Sequence, residues 1–159
     1  MLAEGWTAEI TTASPAETER LGERIGRALR PGDLALLHGE LGAGKTCLVR
    51  GVARGMGLDP AGVNSPTFVV VNEYGPTPRG GRLLHMDAYR LRAPEDLDAL
   101  GLDESRTGAA MVVEWAERVA SGLGPAIVEI WMSHEGGERR RVRLRGPDLE
   151  WRAALGDLD

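Results

Sequence analysis

Nineteen side chains of this sequence are basic, and only one of them is a lysine. Lys45 lies in Gly39-Glu40-Leu41-Gly42-Ala43-Gly44-Lys45-Thr46, which fits the phosphate-binding pattern G-x-x-x-x-G-K-[ST]. Each residue type there has a physical task. Glycines let the backbone curl until successive N–H groups point inward at phosphate oxygens. An ammonium on a flexible stem is compact enough to reach the β- and γ-phosphates, whereas a planar guanidinium is too bulky. The Thr46 hydroxyl suits Mg²⁺. Two carboxylates stand where strands should end, Glu114 after Ala109 to Val113 and Asp87 after Leu83 to Met86. In α/β folds, ligands gather beyond the carboxyl ends of strands. Mg·ATP chemistry needs one acid near the metal and a group that positions the attacking water. Glu114 follows the more continuous apolar run and is the stronger candidate for the metal. Ser65-Pro66-Thr67-Phe68 occupies the place of a segment that senses the γ-phosphate, and equally that of a capped loop entering a strand.

The flanking elements decide whether the glycine loop is an accidental turn. Asp33 to His38 is a short apolar run after Pro31-Gly32 and reads as a buried strand. Leu48, Val52 and Met56 recur every four residues and read as a helix ending near Gly55 to Gly57. Strand, glycine loop and helix N-terminus together make an anion site, because unpaired N–H groups and the helix dipole both favour phosphate. Upstream, Trp6 to Thr12 alternates as a strand, and Ser14-Pro15-Ala16-Glu17 is a helix start with its own cap. Leu21, Ile25 and Leu29 are that helix's buried stripe. Downstream, strands are expected at Val69 to Tyr74, Leu83 to Met86, Ala109 to Val113, Ala126 to Met132 and Arg139 to Arg145. Short helices are expected at Pro94 to Gly101 and Leu149 to Leu155. The expectation is one α/β domain over residues 1–159, a three-layer P-loop NTPase fold with a mixed, mostly parallel sheet.

Composition bounds the rest. A net charge of −5 and a pI near 5.3 argue against a protein that grips nucleic acid by itself. The lone cysteine, Cys47, rules out a disulfide framework and reads as a small buried residue of the helix's first turn. No apolar run approaches eighteen residues and no basic-then-apolar leader is visible, so a cytoplasmic protein without a membrane span is expected. His85 reads as a satisfied core or loop histidine, His38 as a packed strand-end residue and His134 as solvated. Arg139 to Arg145 has two readings, contact with nucleic-acid phosphates or an edge strand whose charges block aggregation, and the edge is preferred. Trp115 is either buried core or an aromatic facing a nucleotide or partner.

The ordered set Gly39 to Thr46, Arg50-Gly51, Ser65-Pro66-Thr67-Phe68, His85-Met86-Asp87-Ala88-Tyr89-Arg90-Leu91, Glu95-Asp96-Leu97, Leu100-Gly101 and Val113-Glu114-Trp115 resembles the TsaE family, formerly YjeE. The resemblance runs from about Thr12 to Met132. Met86 and Ala88 replace larger apolar residues, and Cys47 stands where a second Thr is common. The resemblance implies a Mg²⁺-dependent ATP-binding protein with weak ATPase activity. Its role would be formation of threonylcarbamoyladenosine next to the anticodon of tRNAs reading codons that start with A. TsaD- and TsaB-type partners would carry out the transfer, and tRNA would be met only through that complex. It implies that Lys45 and the amides of Glu40, Leu41, Gly42, Ala43, Gly44, Thr46 and Cys47 hold phosphates, with Ser14 and Pro15 near the adenine. Thr46 and Glu114 would hold Mg²⁺, while Asp87, Thr67 and Glu114 would serve catalysis. A small-molecule kinase and a nucleotide-gated binding module are the rival readings. With no evident arginine finger of its own, such a chain should hydrolyse ATP slowly alone.

Overall fold

The computed structural model describes residues 5–40, 42–64 and 71–158. Strand β1 (Trp6–Thr12) leads into helix α1 (Pro15–Ala28) through the expected cap. The Ser14 hydroxyl accepts from the Glu17 N–H at 3.2 Å, and the Glu17 carboxylate turns back to accept from the Ala13 N–H. Leu21, Ile25 and Leu29 are all buried. Strand β2 (Leu34–Gly39) then delivers the chain to the glycine loop, and helix α2 (Lys45–Gly55) leaves it. The two helices touch backbone to backbone. A Cβ on Gly51 would lie 2.0 Å from the Glu19 carbonyl oxygen, and one on Gly22 would lie 2.2 Å from that of Leu48. Only glycine permits this approach, and it seats α2 firmly behind the loop.

The remaining elements are β3 (Val71–Tyr74), β4 (Arg82–Asp87), α3 (Leu102–Arg106), β5 (Ala109–Glu114), α4 (Ala120–Leu123), β6 (Val128–His134), β7 (Arg140–Gly146) and α5 (Leu149–Ala154). Among the described residues they form one mixed seven-stranded sheet in the order β1-β7-β6-β2-β5-β4-β3. The four central strands, β6, β2, β5 and β4, run parallel, and the antiparallel pairings lie towards the two sides. One face packs Leu37, Val112 and Ile130 against Ile25, Leu48 and Val52 of α1 and α2 and Trp151 of α5. The other face packs Leu36, Leu84, Met111 and Val113 against Leu91, Leu97, Leu102 and Leu123. Parallel strands are buried on both faces, and β5 accordingly is buried at every position.

The Arg-rich segment is not an edge strand. β7 is hydrogen-bonded on both sides, to β1 and to β6, and the edges are β1 and β3. Val142 and Leu144 face the helices as expected, while Arg141, Arg143 and Arg145 stand on the solvent side. Their charges meet cross-strand acids: Arg141 lies 3.3 Å from Glu9 and 2.8 Å from Glu135, and Arg145 lies 2.9 Å from Glu129. Two local expectations shift in detail. The Pro94–Leu100 turn is a 3₁₀ helix closed by Gly101 at φ +64°, and β6 begins at Val128 and continues to His134. Of the strand expected at Val69 to Tyr74, Val71–Tyr74 falls among the described residues. No helix among the described residues is long and apolar enough to cross a membrane.

Candidate functional site

The parallel strands β2, β5 and β4 all end on one side of the sheet. Leu37 is in register with Glu114, and Glu114 with Asp87, so the loop after β2 and both acids share one rim. Gly42 and Gly44 adopt φ of +82° and +98°, values that glycine alone reaches freely. Gly44 is also the N-cap of α2 and offers no side chain to its first N–H groups. An eleven-residue helix therefore opens with donors directed at the loop. Leu41, within the octet, lies outside the described residues, as does the whole segment Ser65 to Val70, including Thr67.

Lys45 is the first residue of α2 and is only 7% exposed. Its ammonium donates to the Gly39 carbonyl at 2.6 Å and lies 3.5 Å from Glu114 Oε1 and 4.2 Å from the centre of the Trp115 ring. Glu114 is buried at the end of β5, with His85 Nε2 against its other oxygen, Oε2. Burial pushes the Glu114 carboxyl up, but the hydrogen bond and charge of His85, joined by Lys45, hold it below the usual carboxylate range. The carboxylate is thus kept ionised in a buried position. His85 is fully buried, as expected of a core residue, yet only half satisfied, because Nδ1 has no hydrogen-bond partner. Asp87 is half-buried and closes the turn beyond β4, its Oδ1 accepting from the Tyr89 N–H at 2.8 Å. The Ala88 N–H donates to the Glu114 carbonyl at 2.9 Å, which ties the two strand ends together.

Among the described residues no group of three or more His, Cys, Asp and Glu side chains is arranged to cage a metal. One ionised carboxylate at a strand end and one hydroxyl, Thr46, half-buried on the first turn of α2, are a different donor set. It suits Mg²⁺, which keeps water and takes phosphate oxygens to complete its octahedron. The residues present therefore fit a Mg-nucleotide.

Trp115 is not core. It is half-exposed, holds a left-handed backbone at φ +57°, and covers the Lys45 ammonium while meeting the Tyr89 ring edge-on at 5.5 Å. On the opposite flank, Cys47 is half-buried and its thiol donates to the Pro15 carbonyl at 3.1 Å. This joins the start of α1 to the first turn of α2. Burial, then the nearby Glu19 charge, pushes the Cys47 thiol up, which disfavours the thiolate. His38 is a packed strand-end residue, held between Glu117 at 3.2 Å and Glu129 at 3.1 Å and stacked on Trp131. His134 is exposed, as expected. Two neighbours of the site escaped the sequence reading. Tyr89 lay within a quoted motif without a role. Arg140 touches the glycine loop, a contact to which the sequence reading gave no residue. Its place in a run of arginines gave no signal, because sheet register alone selects the one that meets the loop.

The family model described as "Threonylcarbamoyl adenosine biosynthesis protein TsaE" matches residues 12–142. The tRNA threonylcarbamoyladenosine biosynthesis protein TsaE of Streptomyces coelicolor is 39% identical over 139 residues, covering 84% of this chain and 93% of the relative. Its namesake in Treponema pallidum is 42% identical over 120 residues, covering 74% and 84%. The crystal structure of Bacillus subtilis YdiB aligns with a TM-score of 0.74 and 27% identity over 98% of this chain and 95% of its own. With these likenesses spanning the strands, the glycine loop and both acids, the chain belongs to the TsaE family.

Proposed function

We infer that this protein binds Mg·ATP at the loop Gly39–Thr46 and hydrolyses it slowly. It does so in the cytoplasm, in support of threonylcarbamoyladenosine formation on tRNA by TsaD- and TsaB-type partners. The observation that carries the reading is Lys45, the single lysine, buried at a helix N-terminus under left-handed glycines and beside an ionised acid. Lys45 and the amides from Glu40 to Cys47 hold the phosphates. Thr46 and Glu114 hold the metal directly or through water, Asp87 and Thr67 orient the water or the γ-phosphate, and Pro15 borders the adenine. Bound Mg²⁺ neutralises charge on the transferring phosphoryl group. His85 and Lys45 fix the direction of the Glu114 carboxylate, and Trp115 shields the ammonium from solvent.

The test is calorimetric titration of ADP and ATP, followed by tRNA modification reconstituted with limiting TsaB–TsaD. Lys45→Ala should lose on the order of 100-fold or more in affinity, the worth of two charge-assisted hydrogen bonds. Lys45→Arg should not restore it, because a guanidinium does not fit the point-charge position. Repeated rounds of modification should require the chain with Lys45 intact. Wild-type nucleotide affinity in Lys45→Arg would overturn the site. Undiminished multiple turnover without the chain would overturn the role.

A further inference from the structure

His38 immediately precedes Gly39, whose carbonyl receives the Lys45 ammonium. Its ring is held at both edges and on one face. Nδ1 lies 3.2 Å from Glu117 Oε1 and Nε2 lies 3.1 Å from Glu129 Oε2. The ring plane stacks on Trp131, with centroids 5.2 Å apart and 22° between the planes. Glu129, on β6, is paired in turn with Arg145 of β7 at 2.9 Å, and Arg143 and Arg145 lie over the Trp131 ring at 5.5 Å and 5.1 Å. On the β5 side the neighbouring strand end is Glu114, already engaged by His85 and Lys45. A neutral imidazole has one N–H and donates to one carboxylate, whereas the imidazolium donates to two. The pair of acids is therefore matched to the doubly protonated ring.

Glu117 belongs to the short 3₁₀ turn Ala116–Arg118 that follows Trp115. Trp115 is, among the described residues, the one residue other than glycine with a positive φ. A left-handed backbone is strained for a tryptophan and persists only where its surroundings hold it. Ala116 and Val119 are buried and pin the apolar side of the turn. The contact from His38 to Glu117 is the polar tie between this turn and the end of β2. Two consecutive residues, His38 and Gly39, thus hold the turn that covers Lys45 and the ammonium that is covered. We propose that His38 is a positioning residue of the nucleotide site, holding the turn through Glu117 so that Trp115 covers Lys45, most firmly when the imidazole is protonated. It acts through Glu117 and is assigned no contact with phosphate or metal. Its effect on binding rests on the ATP site of the preceding section, whereas the tie itself does not.

The experiment takes two readouts on wild type, His38→Gln, Glu117→Gln and the double variant. The first is the indole N–H resonance of Trp115, identified by its loss in Trp115→Phe and followed without nucleotide. The second is calorimetric titration of ADP at about pH 6 and about pH 8, which brackets the range where histidines titrate. The Trp115 resonance should shift in each single variant, and the double variant should repeat that shift and not sum it. At the lower pH, ADP should bind roughly three- to fivefold more weakly in each single variant, the worth of an ion pair with one exposed partner. The double variant should bind no more weakly than either. The advantage of wild type over His38→Gln should shrink at the higher pH, because a ring that has lost its second proton no longer serves both acids. Comparing the two chains at each pH cancels the titration of ADP itself. If His38→Gln does not fold, the exposed Glu117→Gln carries the test of the tie, and its loss of affinity relative to wild type should shrink at the higher pH in the same way. An unmoved Trp115 resonance in Glu117→Gln, or additive losses in the double variant, would overturn the tie. A shifted resonance with wild-type affinity, or an advantage that does not shrink with pH, would overturn the positioning role. If wild type binds no ADP, the ATP site falls and the role of His38 there falls with it, and the Trp115 resonance separates that outcome from failure of the tie.

Discussion

The contact between Lys45 and Glu114 gives a quantitative test that needs no ligand. Both side chains are 7% exposed and their charged atoms are 3.5 Å apart. At an effective dielectric of about 20 that separation corresponds to roughly 5 kcal/mol of attraction, an upper bound before desolvation is counted. Glu114→Gln keeps the shape but removes the counter-charge, leaving the ammonium, among the described residues, with the Gly39 carbonyl and the Trp115 ring. Breaking a buried pair costs about 3–5 kcal/mol, and the lower end applies because the side chain lies on a loop rim and can turn to water. Lys45→Met leaves Glu114 with His85 and should cost less, about 2 kcal/mol. The double variant should cost less than the sum of the two, with a coupling of about 2 kcal/mol. Urea unfolding of the four proteins, free of nucleotide, measures all of these values. The pH dependence has a definite sign. The folded carboxyl sits below its usual value, so its contribution is complete above about pH 5, where the unfolded Glu is already ionised. It fades as the pH falls through the lower folded value. The stability gap between wild type and Glu114→Gln should therefore narrow in acid. Single-variant effects that add within about 0.5 kcal/mol, or a gap that widens in acid, would refute the pairing.

Two further outcomes follow from backbone geometry and from the aromatic cover. Gly51→Ala drives a methyl group into the Glu19 carbonyl at 2.0 Å and should cost about 3 kcal/mol. Gly32→Ala meets nothing within 4 Å and should cost only about 1–2 kcal/mol for its positive φ; equal costs in urea would mean the helix seam is looser than described. ADP should alter tryptophan emission through Trp115, which covers Lys45, and the change should vanish in Trp115→Phe while Trp6, Trp131 and Trp151 remain. A response unaltered in that variant would place the reporter elsewhere.

What the sequence disclosed was local. Ser14, Pro15 and Glu17 form a helix start within four residues, and β2, the glycine loop and α2 are contiguous, so their signals needed no knowledge of the sheet. The two acids were legible because apolar runs end at them and strand ends carry ligands. The illegible part is long-range pairing. Whether β7 is an edge depends on β1 returning to it across more than a hundred residues, and an alternating Arg strand reads alike in either position. The same register picks Arg140 out of its run. His85 looked like core because it is core; its imidazole meets Glu114 only because β4 lies beside β5. Trp115 could not be placed from composition, since its left-handed backbone is set by the turn that leaves β5.

The charges around the loop are balanced unequally, and this bears on how a polyanion would be received. On the Arg140 flank the guanidinium bonds backbone carbonyls, and among the described residues no acid is paired with it, so an arriving phosphate would meet a positive charge. On the Lys45 flank the ammonium is already neutralised by Glu114. Lys45 can serve a phosphate fully only by giving up part of its attraction to that carboxylate. Glu114 then keeps only part of its charge compensation in a buried position, with His85 as its partner, and a divalent cation beside Thr46 would restore the balance. Anion and metal would thus favour each other through one ion pair, without any movement of the sheet, as a coupling between sites requires. The interaction energy read from the Lys45–Glu114 double-variant cycle is the quantity that bounds this coupling, because what the pair loses on ligand entry cannot exceed what holds it together beforehand.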